Sequence, residues 1–424
     1  MRLPCSLGNA PRKVKCDFRQ MELVPRQSEF SPLMTLGNQT GNHMTAKNPS
    51  HARWAVFTIF LLHGIMVGSW VPHIPLAKER LDVGPAVFGL ALLAIAAGAV
   101  TAMPMAGALI NRYGSARTTF VTGCLFCLGF IGPVLSPNLQ AFVISGYILG
   151  AFIGSMDVSM NAHGIAVEQT IKRPIMSLLH GGFSIGGMLG AFLGALALNH
   201  MNEFTHILLA SALCLGLHLV SVQFLLPASI DKGLSESHFG WPTKATIGLG
   251  LLCFLALMSE GVVLDWGAIY FRQEFRVDAG TAALAYGLFS AGMAASRLTG
   301  DWLRQRFGAV RMVVVSAALT AVSIALAVSV SSFWPAVWMF VFAGIGIGNI
   351  APVLFAGGGR LEPEAPGRGI AAVTTLGYAG FLAGPPIIGF AAELTSLGQA
   401  FWLIVLASVI IAVFGSRVRA ADTY

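Results

Sequence analysis

The sequence predicts an all-α integral membrane protein, with twelve transmembrane helices arranged as two parallel six-helix halves. Three observations lead there. The composition is 55% hydrophobic and only 11% charged, whereas soluble globular domains carry about 25% charged residues. The apolar residues come in stretches of roughly 20, the length an α-helix needs to cross about 30 Å of hydrocarbon, without the alternating ~10-residue strands of a membrane barrel. Short motifs also recur along the chain at offsets of 194 to 197 residues.

Residues 1–51 are polar, with Pro, Asn, Gln and Ser, and lack the continuous apolar run of a signal peptide. They read as a disordered cytoplasmic tail. Met44, ahead of a short polar run, also reads as a natural start of translation. Twelve apolar spans follow, near 52–76, 86–110, 117–135, 140–165, 177–199, 204–226, 245–270, 280–302, 310–330, 334–356, 370–392 and 398–416. They divide into an N-terminal half (52–226), a polar cytoplasmic linker (227–244), a C-terminal half (245–416) and a cytoplasmic C-terminal tail (417–424). Eight Lys or Arg against three acids in residues 1–53 place the N-terminus inside. On that assignment thirteen Lys or Arg fall on the remaining cytoplasmic segments, against Lys78, Arg80, Arg272 and Arg276 outside. Both termini are therefore expected in the cytoplasm, and the protein in a bacterial inner membrane. The basic excess is explained by topology, so no nucleic acid is expected as a partner.

The repeat is ordered. Arg112-Tyr113-Gly114-Ser115-Ala116-Arg117 recurs as Arg306-Phe307-Gly308-Ala309-Val310-Arg311, and Gly150-xxx-Gly154 recurs as Gly344-xxx-Gly348, both at an offset of 194. Arg173 matches Arg368 and Gly194 matches Gly389 at 195, while His63-Gly64 returns as Glu260-Gly261 and Trp70 as Trp266. Several matches in order at nearly one offset indicate duplication of a six-helix unit. Six is even, so both copies cross the membrane in the same sense.

Between the second and third spans stands Gly107-Ala108-Leu109-Ile110-Asn111-Arg112-Tyr113-Gly114, with Arg117 as the next base. This resembles the major facilitator superfamily signature, roughly Gly-x-x-x-Asp-Arg-x-Gly-Arg-Arg, with Asn111 where the acid is usual. The second copy, from Gly300-Asp301 to Arg306-Phe307-Gly308, carries one extra residue. The resemblance covers about 52–416. The fourth span looks like the bacterial subgroup containing the rhizobial rhizopine-related membrane protein, and fucose permease is a more distant likeness. The resemblance implies a cytoplasmic gate at Gly107, Asn111, Arg112, Gly114, Arg117, Asp301 and Arg306, and close approach of the two halves through helices five and eight.

Ionisable groups inside a membrane are costly and commonly line a cavity or pair with one another. In the fourth span Gly150, Gly154, Asp157, Asn161, Gly164 and Glu168 share one helix face, which suggests a glycine-lined solute path bearing a proton-titrating carboxylate and an amide. The fifth span adds Gly182, Gly186, Gly190 and Gly194 at steps of four. Glu260 is the expected cavity acid of the seventh span. Asp265, about 140° around an ideal helix, either faces solute or pairs with an outer cation such as Arg272. His63 and His180 can titrate near neutral pH and carry protons; the alternative is a neutral ring holding a carbonyl. His163 and Glu168 are expected on a solvated face, Trp70 and Trp266 as interface anchors, and Arg297 paired with Asp301 one turn away. The small residues Gly292, Ser296 and Gly300 are expected to serve the contact between halves. Gly344, Gly346, Gly348 and Asn349, with Pro385-Pro386, read as bends that gate, and Asn349 as a possible solute ligand.

The chain lacks a nucleotide-binding loop, since Gly357-Gly358-Gly359-Arg360 has neither the Lys-Ser/Thr nor the strand. HExxH, GxSxG and metal-ligand clusters are missing as well, and Cys124-xx-Cys127 sits among apolar residues without a second pair. No enzyme, cofactor or metal is expected. The function read from the sequence is secondary active transport by alternating access, with a small polar or polyhydroxy solute and protons as partners, in a monomer embedded in the bilayer. Efflux of an amphipathic compound, or a non-transporting membrane sensor or pathway partner, are the alternatives.

Overall fold

The computed structural model describes residues 48–231 and 241–422. The tail expected at the N-terminus, up to residue 47, and half of the linker (232–240) lie outside the described residues. Among the described residues twelve helical spans follow one another: α1 Pro49–Leu81, α2 Pro85–Tyr113, α3 Ser115–Leu135, α4 Leu139–Ile171, α5 Met176–Leu198, α6 Glu203–Phe224, α7 Ile247–Phe275, α8 Ala279–Phe307, α9 Ala309–Ala327, α10 Phe333–Leu361, α11 Gly367–Leu394 and α12 Leu397–Asp422. Eleven are long and apolar enough to cross a membrane. The exception, α8, mixes Gly, Ala and Ser with Arg297, Asp301, Arg304 and Arg306, which lowers its hydropathy below that of its neighbours.

The duplication reappears as packing. Gly150 lies against the Ile95 carbonyl and Gly344 against the Phe289 carbonyl; Gly154 lies against Ala99 and Gly348 against Met293. Every partner in the second set is 194 residues beyond its counterpart. In both halves, therefore, a GxxxG notch on the fourth helix admits the backbone of the second. The turn after α2 uses Gly114 (φ 86°, ψ 156°) and the turn after α8 uses Gly308 (φ 80°, ψ 159°), a backbone region essentially reserved for glycine that costs another residue about 1–3 kcal/mol. Asp82 (φ 48°) ends α1 and Arg276 (φ 54°) ends α7, again 194 apart.

The glycine stripe of α5 serves its own half. Gly186 and Gly190 meet the α1 backbone at Leu61 and Ile65, and Gly182 and Gly194 meet Phe57 and Pro72. In α8, Gly292 and Gly300 face α10 at Val341 and Asn349. The expectation that these stripes join the halves is thus corrected. The α5–α8 contact runs one helix face round, through Gly181 on Leu298, Gly187 on Ser290, Ala191 on Gly287 and Ala195 on Gly280. The steps-of-four glycines go to the tightest crossings, which lie inside each half, because backbone can approach backbone only where no Cβ intervenes.

Apart from a hydrogen bond between α4 and α11, the remaining cross-contacts between halves that can be placed cluster at the end where α1 turns into α2, called here the Gly84 end. Glu79 pairs with Arg272, Glu393 of α11 accepts from the Ala86 amide of α2 at 3.2 Å, and Phe88 meets Trp266 at 6.1 Å between ring centroids. Gly89 packs on Pro385 and Gly389. Trp70 and Trp266 are 4% and 0% exposed, so they are interior packing residues rather than interface anchors. Outward faces such as Leu209, Leu213 and Val220 of α6 stay exposed, as surfaces toward hydrocarbon chains must be.

The C-terminal segment departs from a free tail. Gly415–Asp422 forms a 3-10 helix with Val418 and Ala421 fully buried. Asp422 accepts from the amides of Ala309 and Val310 at the start of α9, and the Ala421 carbonyl accepts from Arg304 and Arg360. A carboxylate on otherwise unpaired first-turn amides is a stabilising cap.

Candidate functional site

Two polar nodes lie inside the apolar bundle. The first is built on Arg297 of α8, 9% exposed. Its Nη2 donates to Glu260 of α7 at 3.1 and 3.4 Å, its Nη1 to Ser184 Oγ of α5 at 2.7 Å, and its Nε to the Gly348 carbonyl of α10 at 3.2 Å. The Gly348 carbonyl is available for a chemical reason. Four residues on stands Pro352, which has no N–H to complete the helical bond. α10 breaks there, between Ile347 and Ile350, and Asn349 Nδ2 turns back onto the Ser296 carbonyl and hydroxyl of α8. The bend read from Gly348-Asn349 is present, with the Asn349 amide nitrogen committed to α8. α11 runs as one helix through Pro385-Pro386.

Arg297 does not pair with Asp301, contrary to the spacing argument. Asp301 is exposed and accepts from Ser177 Oγ of α5 at 2.8 Å. A guanidinium in a low-dielectric interior is held more strongly by the enclosed Glu260 than by a hydrated carboxylate one turn nearer water.

The second node is Asp157 of α4, half-buried. Its Oδ1 accepts from Asn161 Nδ2 at 3.1 Å and its Oδ2 from the Tyr378 hydroxyl of α11 at 2.8 Å. Both donors are neutral, and no ion pair reaches Asp157 among the described residues. Tyr378 joins α4 of one half to α11 of the other. One turn on, Phe381 packs against Gly261, beside Glu260, so α7 and α11 bring the two nodes into one region. The glycine face of α4 is not an open wall. Gly150 and Gly154 are covered by α2, and Gly164 by Leu179 and Met176, leaving Asp157, Asn161 and Glu168 as its accessible members.

His63 is 4% exposed, its Nδ1 has no hydrogen-bond partner, and its ring lies 4.3 Å from Phe126 and 5.5 Å from Phe183. His180 sits edge-on to Phe60 at 5.4 Å, and its carbonyl accepts from the same Ser184 hydroxyl that Arg297 binds. Asp265 is half-buried without a hydrogen-bond or ion-pair partner among the described residues; the cation proposed for it, Arg272, is taken by Glu79. His163 and Glu168 are not on a solvated face. His163 is 1% exposed, with Nδ1 2.7 Å from Ser115 Oγ. Glu168 accepts from the amides of Ile175 and Met176 at 2.6 and 3.1 Å, a cap for α5 that helical periodicity alone could not reveal.

At the opposite end from Gly84, Asn111, Arg112, Arg117 and Arg306 are exposed, and Gly107 is half-buried. Arg112 lies over the Tyr113 ring at 5.2 Å and Arg306 over Phe307 at 5.9 Å. Each arginine thus stacks on its own neighbour, and the fixed geometry of the motif resides in Gly114 and Gly308. Sequence reasoning missed Tyr378, Ser184 and the Arg297–Glu260 pair. Pro352, four residues after Gly348, was the one readable sign that a carbonyl in α10 needed an outside donor.

Among the described residues no group of His, Cys, Asp and Glu is placed to hold a metal. The arrangement offers instead hydrogen-bonding groups and charges enclosed between two halves. Known proteins resemble the chain in sequence and in fold. The Major Facilitator Superfamily model matches residues 249–422. An uncharacterized MFS-type transporter of Yersinia pestis is 33% identical over 352 residues, 82% of this chain and 90% of that protein. Membrane protein MosC of Rhizobium meliloti is 30% identical over 380 residues, covering 87% and 91%. Among solved structures, a point mutant of the nucleoside transporter NupG superposes with a TM-score of 0.70 at 14% identity, over 86% of this chain and 99% of that one. The transporter FucP, in an outward conformation, superposes with a TM-score of 0.59 at 14% identity, over 86% and 97%. The chain is a multi-pass membrane protein of the major facilitator superfamily, a family of secondary transporters and not of enzymes.

Proposed function

We propose that the protein moves a small polar or polyhydroxy solute across the bacterial cytoplasmic membrane by alternating access, coupled to protons, with Asp157 as the proton-carrying group. One observation carries this reading: of the two polar nodes, Glu260 has a guanidinium partner and Asp157 has none. A lone carboxylate amid helices is costly as an anion, so its charge state is sensitive to what enters the cavity. Asn161 and the Tyr378 hydroxyl are donors that a solute hydroxyl can replace. Because Tyr378 belongs to the other half, that exchange would also alter the contact between halves. His63 and His180 are proton-path groups in this reading, Asp265 and Asn349 lie along it, and Gly107, Asn111, Arg112, Gly114, Arg117, Asp301 and Arg306 form the cytoplasmic end. Both termini are cytoplasmic here, which makes the Gly84 end the outer one. The protein works as a monomer, since each half supplies one side of the cavity.

The test is a solute panel on purified protein in vesicles with internal pH followed. Solute-triggered proton movement, abolished in Asp157→Asn, supports the proposal. Proton movement with hydrophobic cations alone would replace it with efflux, and binding without flux would replace it with a sensor.

A further inference from the structure

An open-sided cavity of about 310 Å³ lies at the end opposite Gly84, apart from both central nodes, between the start of α7, the end of α10 and the 3-10 turn that closes α12. Its volume is at the lower end of the roughly 300–1,000 Å³ range of ligand sites. Lys244 and Arg417 line it, together with Ile247, Gly248 and Leu361. Both cations are exposed, and neither has an ion-pair partner among the described residues. Arg417 stacks instead, its guanidinium carbon 5.4 Å from the centroid of the Phe414 ring. A guanidinium held by its face keeps its N–H edges for an oxyanion. Its Nη1 is 3.1 Å from where a Cβ on Gly248 would stand, so the missing side chain lets the guanidinium lie along the first turn of α7.

The surroundings favour an anion. Glu362, next in the chain to Leu361, has partners of its own: it accepts from the Thr243 hydroxyl at 2.8 Å and pairs with Arg368 at 3.4 Å. α7 starts at Ile247 without a capping side chain, which adds the positive end of a helix to the two side chains. Topology accounts for an excess of Lys and Arg at this end, but not for two unpaired cations gathered on one hollow. On the hydrocarbon side the surface is apolar: Ile247 and Leu251 of α7 and Val413 and Phe414 of α12 are all exposed.

We infer that this cavity binds the phosphate of an anionic phospholipid, with the acyl chains lying along the exposed faces of α7 and α12. Basic pockets between transmembrane helices are suited to lipid head groups. Ile247 opens an apolar span, so Lys244 and Arg417 stand at the level of the phosphate layer, where head groups are abundant. Inorganic phosphate would have to arrive from solution, and two exposed cations screened by water and salt hold it weakly. The inference needs only the membrane-spanning fold, and is independent of the solute and of Asp157.

The experiment is native mass spectrometry of the full-length protein released from detergent micelles, titrated with dioleoyl phosphatidylglycerol or dioleoyl phosphatidylcholine. The parent is expected to retain the anionic lipid several-fold more tightly than the zwitterionic one. A Lys244→Gln, Arg417→Gln double variant should weaken retention of phosphatidylglycerol roughly 30-fold, about fivefold for each cation. Gly248→Leu keeps both charges but fills the cavity, and should weaken it several-fold. A Lys172→Gln, Arg173→Gln variant removes the same charge from exposed residues at the same end and should bind as the parent does. Thermal midpoints equal to the parent's show that the variants are folded, and the two charge variants decide the matter if Gly248→Leu is not. Equal retention of the two lipids by the parent, equal losses in the two charge variants, or parent-like binding by a folded Gly248→Leu overturns the inference. Displacement of phosphatidylglycerol by excess inorganic phosphate, but not by chloride at matched ionic strength, also overturns it in favour of a free-anion site.

Discussion

The Arg297–Glu260 pair gives a sharp energetic prediction because its two members are not equally replaceable. Both side chains are enclosed, at 10% and 15% exposure, and removing one partner of a buried pair strands the other charge at about 3–5 kcal/mol. Glu260→Ala leaves a guanidinium that still donates to Ser184 and Gly348, so its cost belongs near 3 kcal/mol. Arg297→Ala strands the Glu260 carboxylate and also the Gly348 carbonyl, which Pro352 cannot satisfy; an unmet buried acceptor adds roughly 1–3 kcal/mol. Arg297→Ala should therefore cost about 4–6 kcal/mol. Replacing both by Met removes both charges and leaves only the orphaned carbonyl, so the double variant should lose about 1–3 kcal/mol. The assay is reversible unfolding in mixed micelles, comparing each single variant and the double variant with the parent. If the double variant loses the sum of the singles, or Glu260→Ala costs more than Arg297→Ala, the reasoning fails.

Other outcomes follow from the packing. Gly150→Ala and Gly344→Ala drive a methyl into the Ile95 and Phe289 carbonyls and should each lower stability by about 1–3 kcal/mol; Gly216→Ala, with open space around it, should raise it by roughly 0.5–1 kcal/mol. Gly114→Ala and Gly308→Ala, at φ 86° and 80°, should each cost about 1–3 kcal/mol, by thermal unfolding in detergent. Asp422→Ala should lower stability by about 0.5–2 kcal/mol through loss of the α9 cap, and Asp422→Asn by much less.

The twelve spans and their duplication were legible because hydrocarbon imposes a length and forbids unpaired backbone, constraints that leave long marks in sequence. Helix ends ran beyond the apolar stretches, as at α4, which continues to Ile171, because polar residues extend a helix into water freely. Periodicity placed Asp157 and Asn161 together, an i,i+4 relation within one helix. It failed wherever the partner came from another helix. Arg297 was matched to Asp301 by spacing, yet Glu260 sits closer in three dimensions; Glu168 and His163 looked solvated, yet cap α5 and meet Ser115. The glycine stripes were read as a path and as the contact between halves, whereas they form the tight crossings inside each half. A stripe records that something approaches closely and is silent on what. Tyr378 carried no signal at all, since a single Tyr in an apolar run is ordinary.

The account rests on Asp157 being, of the two polar nodes, the carboxylate without a cation. The most direct measurement is proton uptake by the purified protein in vesicles on adding a transported solute, compared between the parent, Asp157→Asn and Glu260→Gln. The account predicts that Asp157→Asn removes the solute-linked proton signal while solute exchange across the membrane continues, and that Glu260→Gln reduces transport without uncoupling it. A full proton signal in Asp157→Asn, or its selective loss in Glu260→Gln, would contradict it.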